Sequence, residues 1–127
     1  MKRDMDLIRQ IALHIEDSPD GWAPQSFTIE GYTNEQIGFH VLLMIEGGLV
    51  QGQDVTSFSR TPAGRASRLT WAGHEFLDAA REPTRWERTK ALLAKAGGAS
   101  FPVWMEVLTR AAIEASRRGL LDSGQVD

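Results

Sequence analysis

The segment Asn34–Glu46 places the strongest constraint on this chain of 127 residues. Ile37, Val41 and Met44 recur at helical spacing, and Phe39, Leu42, Leu43 and Ile45 widen the stripe until most of the circumference is apolar. A helix of that kind is buried in its own domain or meets a partner. Its limits are written beside it. Thr33 and Gln36 make a capping box at its start, and Gly47-Gly48 suit a left-handed cap at its end. The remaining segments must either cover this helix or leave it for a partner.

Those segments read as short alternating elements. Asp4–Asp17 is an amphipathic helix with Met5, Ile8, Ile11, Ala12 and Ile15 on one face, its start favoured by Asp4 or Asp6. Ser18-Pro-Asp-Gly21 is turn chemistry. Phe27 and Ile29 alternate with polar neighbours, which predicts a short strand at Ser26–Glu30. After Gly48, Leu49-Val50 begin a strand running to about Ser57. Thr61-Pro-Ala-Gly64 is a loop tip, and Ser67–Thr70 begins the return strand. A helix from Trp71 to about Arg81 buries Phe76, Leu77 and Ala80.

Pro83-Thr84 marks a boundary. Thr84 and Glu87 predict a capping box opening a helix to about Ala96, ended by Gly97-Gly98. Ser100 caps a last helix, Phe101–Arg118, with Trp104, Leu108, Ala111 and Ala115 on one stripe and Gly119 as its stop. Residues 122–127 form a frayed tail.

The order helix, strand, helix, hairpin, helix is that of an α+β winged-helix domain, a helix-turn-helix variant whose two-stranded hairpin is the wing. One departure stands out: a single clear helix lies between the first strand and the hairpin, where the usual motif has two. The organisation expected is a winged-helix-like domain over 1–82, a C-terminal helical extension over 83–121 and a tail over 122–127.

Several blocks carry a resemblance: Met1–Arg9, Ile29-Glu-Gly-Tyr32, Phe39-His40, Gly48-Leu49-Val50 and, most specific, Arg68-Leu-Thr-Trp-Ala-Gly-His-Glu-Phe-Leu-Asp-Ala-Ala-Arg81. Together they resemble the domain of unknown function 2513 family of bacterial and phage proteins, from Met1 to about Leu121. The resemblance implies a small, winged-helix-like protein and brings no catalytic residue with it. Where it leads one to expect a polar or basic side chain at position 42, this chain has Leu42, which weakens a DNA-reading role for that helix.

Composition bounds the function. The chain is 42% hydrophobic, enough for a core and too much for wholesale disorder. It has no cysteine, which excludes disulfides, thiolate metal sites and cysteine nucleophiles. No signal peptide opens it, and Val41–Ile45 is far shorter than the roughly 20 apolar residues of a membrane span. A cytoplasmic protein is expected. His74-Glu75-Phe-Leu-Asp78 is half of a zinc motif, with Asp78 where the second histidine would stand, and no third ligand is evident. His40 on the apolar helix reads as either buried and satisfied or exposed at the helix edge. No nucleophile elbow and no phosphate-binding glycine loop occurs, so no enzyme, cofactor or metal is expected.

The formal charge of −3 is unevenly spread. Residues 33–50 carry only Glu35 and Glu46, so the helix that would enter a major groove is acidic and apolar. Residues 51–68 carry Arg60, Arg65 and Arg68 against Asp54. These arginines suit phosphate contact, although charged loop tips are commonplace. Arg81, Arg85, Arg88, Lys90 and Lys95 are a second basic concentration. Arg85 and Arg88, three apart, can share a face, and Trp86 between them reads first as a packing anchor and second as a stacking surface for a base or peptide.

Two functions follow. In the favoured one, a non-enzymatic interaction or regulatory module binds a protein partner or a second copy of itself through Leu42, Trp86, Phe101, Trp104, Met105 and Leu108. In the other, a transcriptional regulator holds duplex DNA through Arg60, Arg65, Arg68, Arg85 and Arg88.

Overall fold

Five helices and one antiparallel hairpin make up the computed structural model, which describes residues 1–58 and 60–124. The architecture is α+β. The chain divides into two compact units, Met1–Leu77 and Asp78–Asp127.

In the first unit, helix α1 (Met5–Glu16) begins at Asp4, whose side chain accepts from the Leu7 amide. Its buried face is Met5, Leu7, Ile8, Ile11, Ala12 and Ile15. Removing each of the larger ones from water contributes on the order of 1.5–3 kcal/mol. Asp20 then organises the turn. Its carboxylate accepts from the Trp22 amide and the Ser18 hydroxyl, and both bonds hold its pKa below the usual range. Gly21, at φ 84°, lets the chain reverse there.

The strand expected at Ser26–Glu30 does not form. The Ala23 amide donates to the Ser67 carbonyl at 2.7 Å, but Pro24 has no N–H to continue a ladder. The alternation reflects packing: Ile29 is buried and Phe27 stacks on His14, ring centres 5.5 Å apart.

Helix α2 (Asn34–Glu46) carries the expected capping box. The Gln36 amide donates to Thr33 Oγ1 at 3.1 Å, and the Thr33 amide donates to Gln36 Oε1 at 2.8 Å. At its end the Gly48 amide reaches the Ile45 carbonyl and the Leu49 amide reaches the Met44 carbonyl. This paired closure places Gly48 in the left-handed region at φ 78°.

Strands β1 (Val50–Asp54) and β2 (Gly64–Leu69) pair antiparallel, Val50 opposite Leu69 and Asp54 opposite Gly64. Register shifts between Gln51 and Gly52, so Ser67 is an extra residue in β2. β1 is shorter and β2 longer than the sequence suggests. Asp54 turns its carboxylate to the Thr56 amide and hydroxyl, which curls the chain off the ladder before Ser57. Gly64 already belongs to the strand, and the tip spans 55–63.

Helix α3 (Trp71–Ala80) starts at Thr70, whose hydroxyl accepts from the Gly73 amide and donates to the Gly48 carbonyl. The boundary between the two units falls inside α3.

In the second unit, α4 (Pro83–Lys95) opens differently from expectation. Glu82, rather than Thr84 with Glu87, is the cap: its carboxylate accepts from the Thr84 and Arg85 amides at 3.0 and 2.6 Å. Pro83 supplies the first helical position, where no amide is needed. Gly97 and Gly98, both at positive φ, close α4 as the sequence suggests. α5 (Phe101–Gly124) does not stop at Gly119. One glycine costs a helix only about 1 kcal/mol, and good helix formers flank it. The expected tail is therefore helical through Gly124, and 125–127 lie outside the described residues. α4 packs on α5 through Trp86 and Trp104, whose rings lie 4.9 Å apart.

Candidate functional site

The question raised by α2 is what covers it. Its buried side chains are Ile37, His40, Val41, Leu42 and Met44, and it packs against α1 and both strands of the hairpin. The hairpin comes close enough to require glycine at Gly64, where a Cβ would stand 2.7 Å from the Leu42 amide nitrogen. A Cβ on Gly52 would overlap the Arg65 carbonyl oxygen of the partner strand and also stand 2.9 Å from Ile45 Cδ1. From the other side, a Cβ on Gly38 would press on Ala63 Cβ at 3.3 Å. The hairpin thus lies along α2 with backbone against backbone. Of the helix, Asn34, Glu35 and Glu46 are exposed, and two of those are acidic. Leu42, placed among candidate interface residues by sequence, sits under β2 at 9% exposure.

His40 ties α2 to the start of α1. It is buried, and its Nδ1 lies 2.8 Å from the Gln36 carbonyl. Nε2 accepts from the Asp4 amide at 2.8 Å. That pairing requires the neutral ring with its proton on Nδ1. Asp4 meanwhile accepts from the Tyr32 hydroxyl at 3.0 Å. Both ring nitrogens are thus occupied, one within α2 and one joining α2 to the start of α1.

The hairpin of the first unit is locally cationic, and three aromatic side chains of that unit stand in solvent. Arg60, Arg65 and Arg68 are all exposed, although Arg68 also donates to the Leu69 carbonyl. Phe58, at the hairpin tip, is 98% exposed, Trp71 is 82% exposed and Trp22 is 60% exposed. The sequence pattern gave no sign of these three, because exposure of an aromatic at a loop tip or helix start has no periodic signature. A shallow groove of about 200 Å³ runs between Pro24–Phe27, α2 and the hairpin, with Ile37, Val41 and Arg65 in its walls.

In the second unit, Trp86 is 1% exposed, Trp104 7% and Leu108 fully buried, while Phe101 and Met105 are half-buried. Arg85 is half-buried and Arg88 exposed, both on α4. The Glu82 carboxylate is held below the usual range, first by the Arg85 amide and then by the Thr84 amide. Among the described residues no three His, Asp or Glu side chains are grouped to hold a metal ion, and no helix is long and apolar enough to cross a membrane.

Comparison with known proteins gives the chain a family. An uncharacterized protein of Haemophilus influenzae is 35% identical over 96 residues, which cover 73% of this chain and 79% of that protein. No solved structure matches the chain. A family model described as "Hypothetical protein (DUF2513)" matches residues 2–99, from the start of the chain through α4 to the glycines that close it. α5 lies beyond the matched residues. With most of its length matched, the chain belongs to the DUF2513 family.

Proposed function

We propose that the protein is a non-enzymatic regulatory module of winged-helix type that acts in the cytoplasm by binding protein, a second copy of itself included. In this reading residues 1–82 are the winged-helix-like domain and 83–121 a helical extension. One observation carries it: α2, the helix that would read a major groove, is covered by the hairpin and offers solvent mainly Asn34, Glu35 and Glu46. A groove reader needs donors for base edges and cations for phosphates on that helix. The exposed Phe58, Trp71 and Trp22 are instead the side-chain types that anchor protein interfaces.

A second reading, a DNA-binding regulator, is favoured by the exposed Arg60, Arg65 and Arg68 on the wing, with Arg85 and Arg88 beyond it. Binding to a mixed duplex at two salt concentrations separates the two. The interaction reading expects no duplex binding even at low salt, and light scattering that shows self-association lost on Phe58→Ser with Trp71→Ser. Duplex binding that weakens by about a thousandfold or more between 50 and 200 mM salt would replace it with the DNA reading. In that event Arg60→Ala with Arg65→Ala should flatten the slope.

A further inference from the structure

α4 and α5 do not close on each other along their whole length. At the end of their contact lies a cleft of about 500 Å³, within the ~300–1,000 Å³ usual for small-molecule sites. One wall is the first turns of α4, with Arg85 and Arg88. The other is α5, where Ala111, Ala115 and Gly119 stand four residues apart and leave the space open. No atom would meet a Cβ at Gly119 within 4 Å. Arg118 enters from this second wall. Three guanidinium groups from two helices therefore share one cleft, a convergence invisible in the sequence, where Arg118 is 30 residues from Arg88.

The charges there are only loosely held. Arg85 attracts the neighbouring Glu82 carboxylate across solvent, and neither Arg85 nor Arg88 forms a close ion pair among the described residues. Arg118 pairs with Glu114 at 3.4 Å, but both side chains are more than half exposed, and such pairs hold weakly. The helix end contributes little, because Glu82 already occupies the Thr84 and Arg85 amides. Glu82 and Glu114 also set a limit: with three arginines against two carboxylates the cleft favours a compact anion of high charge density. Arginine offers paired donors in the geometry of phosphate oxygens.

We infer that this cleft binds a small phosphate-bearing molecule, its phosphate held by Arg85, Arg88 and Arg118. The site is separate from the protein-binding role proposed above and stands without it.

The test is titration of the full chain with inorganic pyrophosphate, followed by calorimetry and by backbone amide shifts. Saturable binding is expected at low salt, with shifts confined to 82–89 and 111–119. Arg85→Gln with Arg88→Gln should weaken it by about tenfold or more, as loss of charge-assisted bonds predicts. The far-UV spectrum and melting temperature should be unchanged. Arg118→Gln, on the other helix, provides an independent check and should weaken binding as well. Absence of saturable binding at millimolar pyrophosphate would overturn the inference. So would affinity indifferent to all three substitutions, or shifts centred on Arg60 and Arg65. A duplex DNA that moves the same amides at far lower concentration would overturn the small-molecule assignment in favour of a nucleic-acid backbone.

Discussion

Gly73 offers the sharpest test of how the first unit is assembled, because helix propensity and packing predict opposite signs. In the interior of an isolated helix, Gly→Ala stabilises by about 1 kcal/mol. In this fold a Cβ at Gly73 would overlap the Leu49 carbonyl oxygen and stand 3.0 Å from Leu69 Cδ2. The obstacle is backbone, which cannot rotate aside. Relief requires moving the start of α3 away from the entry to the hairpin. Three bonds at Thr70 resist that movement: its amide to the Leu49 carbonyl, its hydroxyl to the Gly48 carbonyl, and the Gly73 amide to its hydroxyl. Overpacking costs about 1–3 kcal/mol, and weakening those bonds adds about 1 kcal/mol each. After the propensity gain is subtracted, Gly73→Ala should destabilise by roughly 3–5 kcal/mol, a large part of the ~5–15 kcal/mol of a typical domain. Urea unfolding followed by far-UV circular dichroism should show the midpoint falling by about 1 M or more. Gly119→Ala is the matched control: it is also helical, but nothing lies within 4 Å of the added Cβ. It should be neutral or stabilising by up to about 1 kcal/mol. A Gly73→Ala midpoint at or above that of the parent would refute the close approach of α3 to Leu49.

Other predictions follow from the buried contacts and the caps. His40→Leu keeps bulk but strands the Asp4 amide, so it should destabilise by about 1–3 kcal/mol, read as a lower melting temperature with an unchanged fold. Trp104→Ala removes the ring that packs on Trp86 and should cost about 3–5 kcal/mol, read by denaturant unfolding, whereas Phe58→Ser should leave stability nearly unchanged. Glu82 has its carboxyl pKa depressed in the folded protein. Its contribution is therefore present above the usual carboxylate range and lost as pH falls through the depressed value. Thermal melts at neutral and acid pH should show Glu82→Gln losing less stability on acidification than the parent.

Much of the secondary structure is legible in the chain because it is local. The Thr33–Gln36 box, the glycine pairs after α2 and α4, and the periodic face of α1 all act within a turn or two, and the structure contains each of them. The errors share a cause. Alternation at Phe27 and Ile29 reports which side chains are buried, but a strand also needs a neighbour, and Pro24 denies it one. Thr84 looks like a cap until Glu82 reaches the same amides first. Gly119 looks like a stop, but only a competing backbone contact would have made it one.

By itself, then, the sequence determines that a nearly all-apolar helix must be hidden and that the chain's positive charge is concentrated in the hairpin and in α4, because those are properties of composition and period. Which element hides that helix is decided only in three dimensions. Gly64 carries no hydrophobic signal, yet its missing side chain lets the hairpin backbone lie on α2, with Gly38 easing the contact from the helix side. The meeting of Arg118 with Arg85 and Arg88 is likewise a product of helix packing, since charge in a sequence has no direction until the backbone points it.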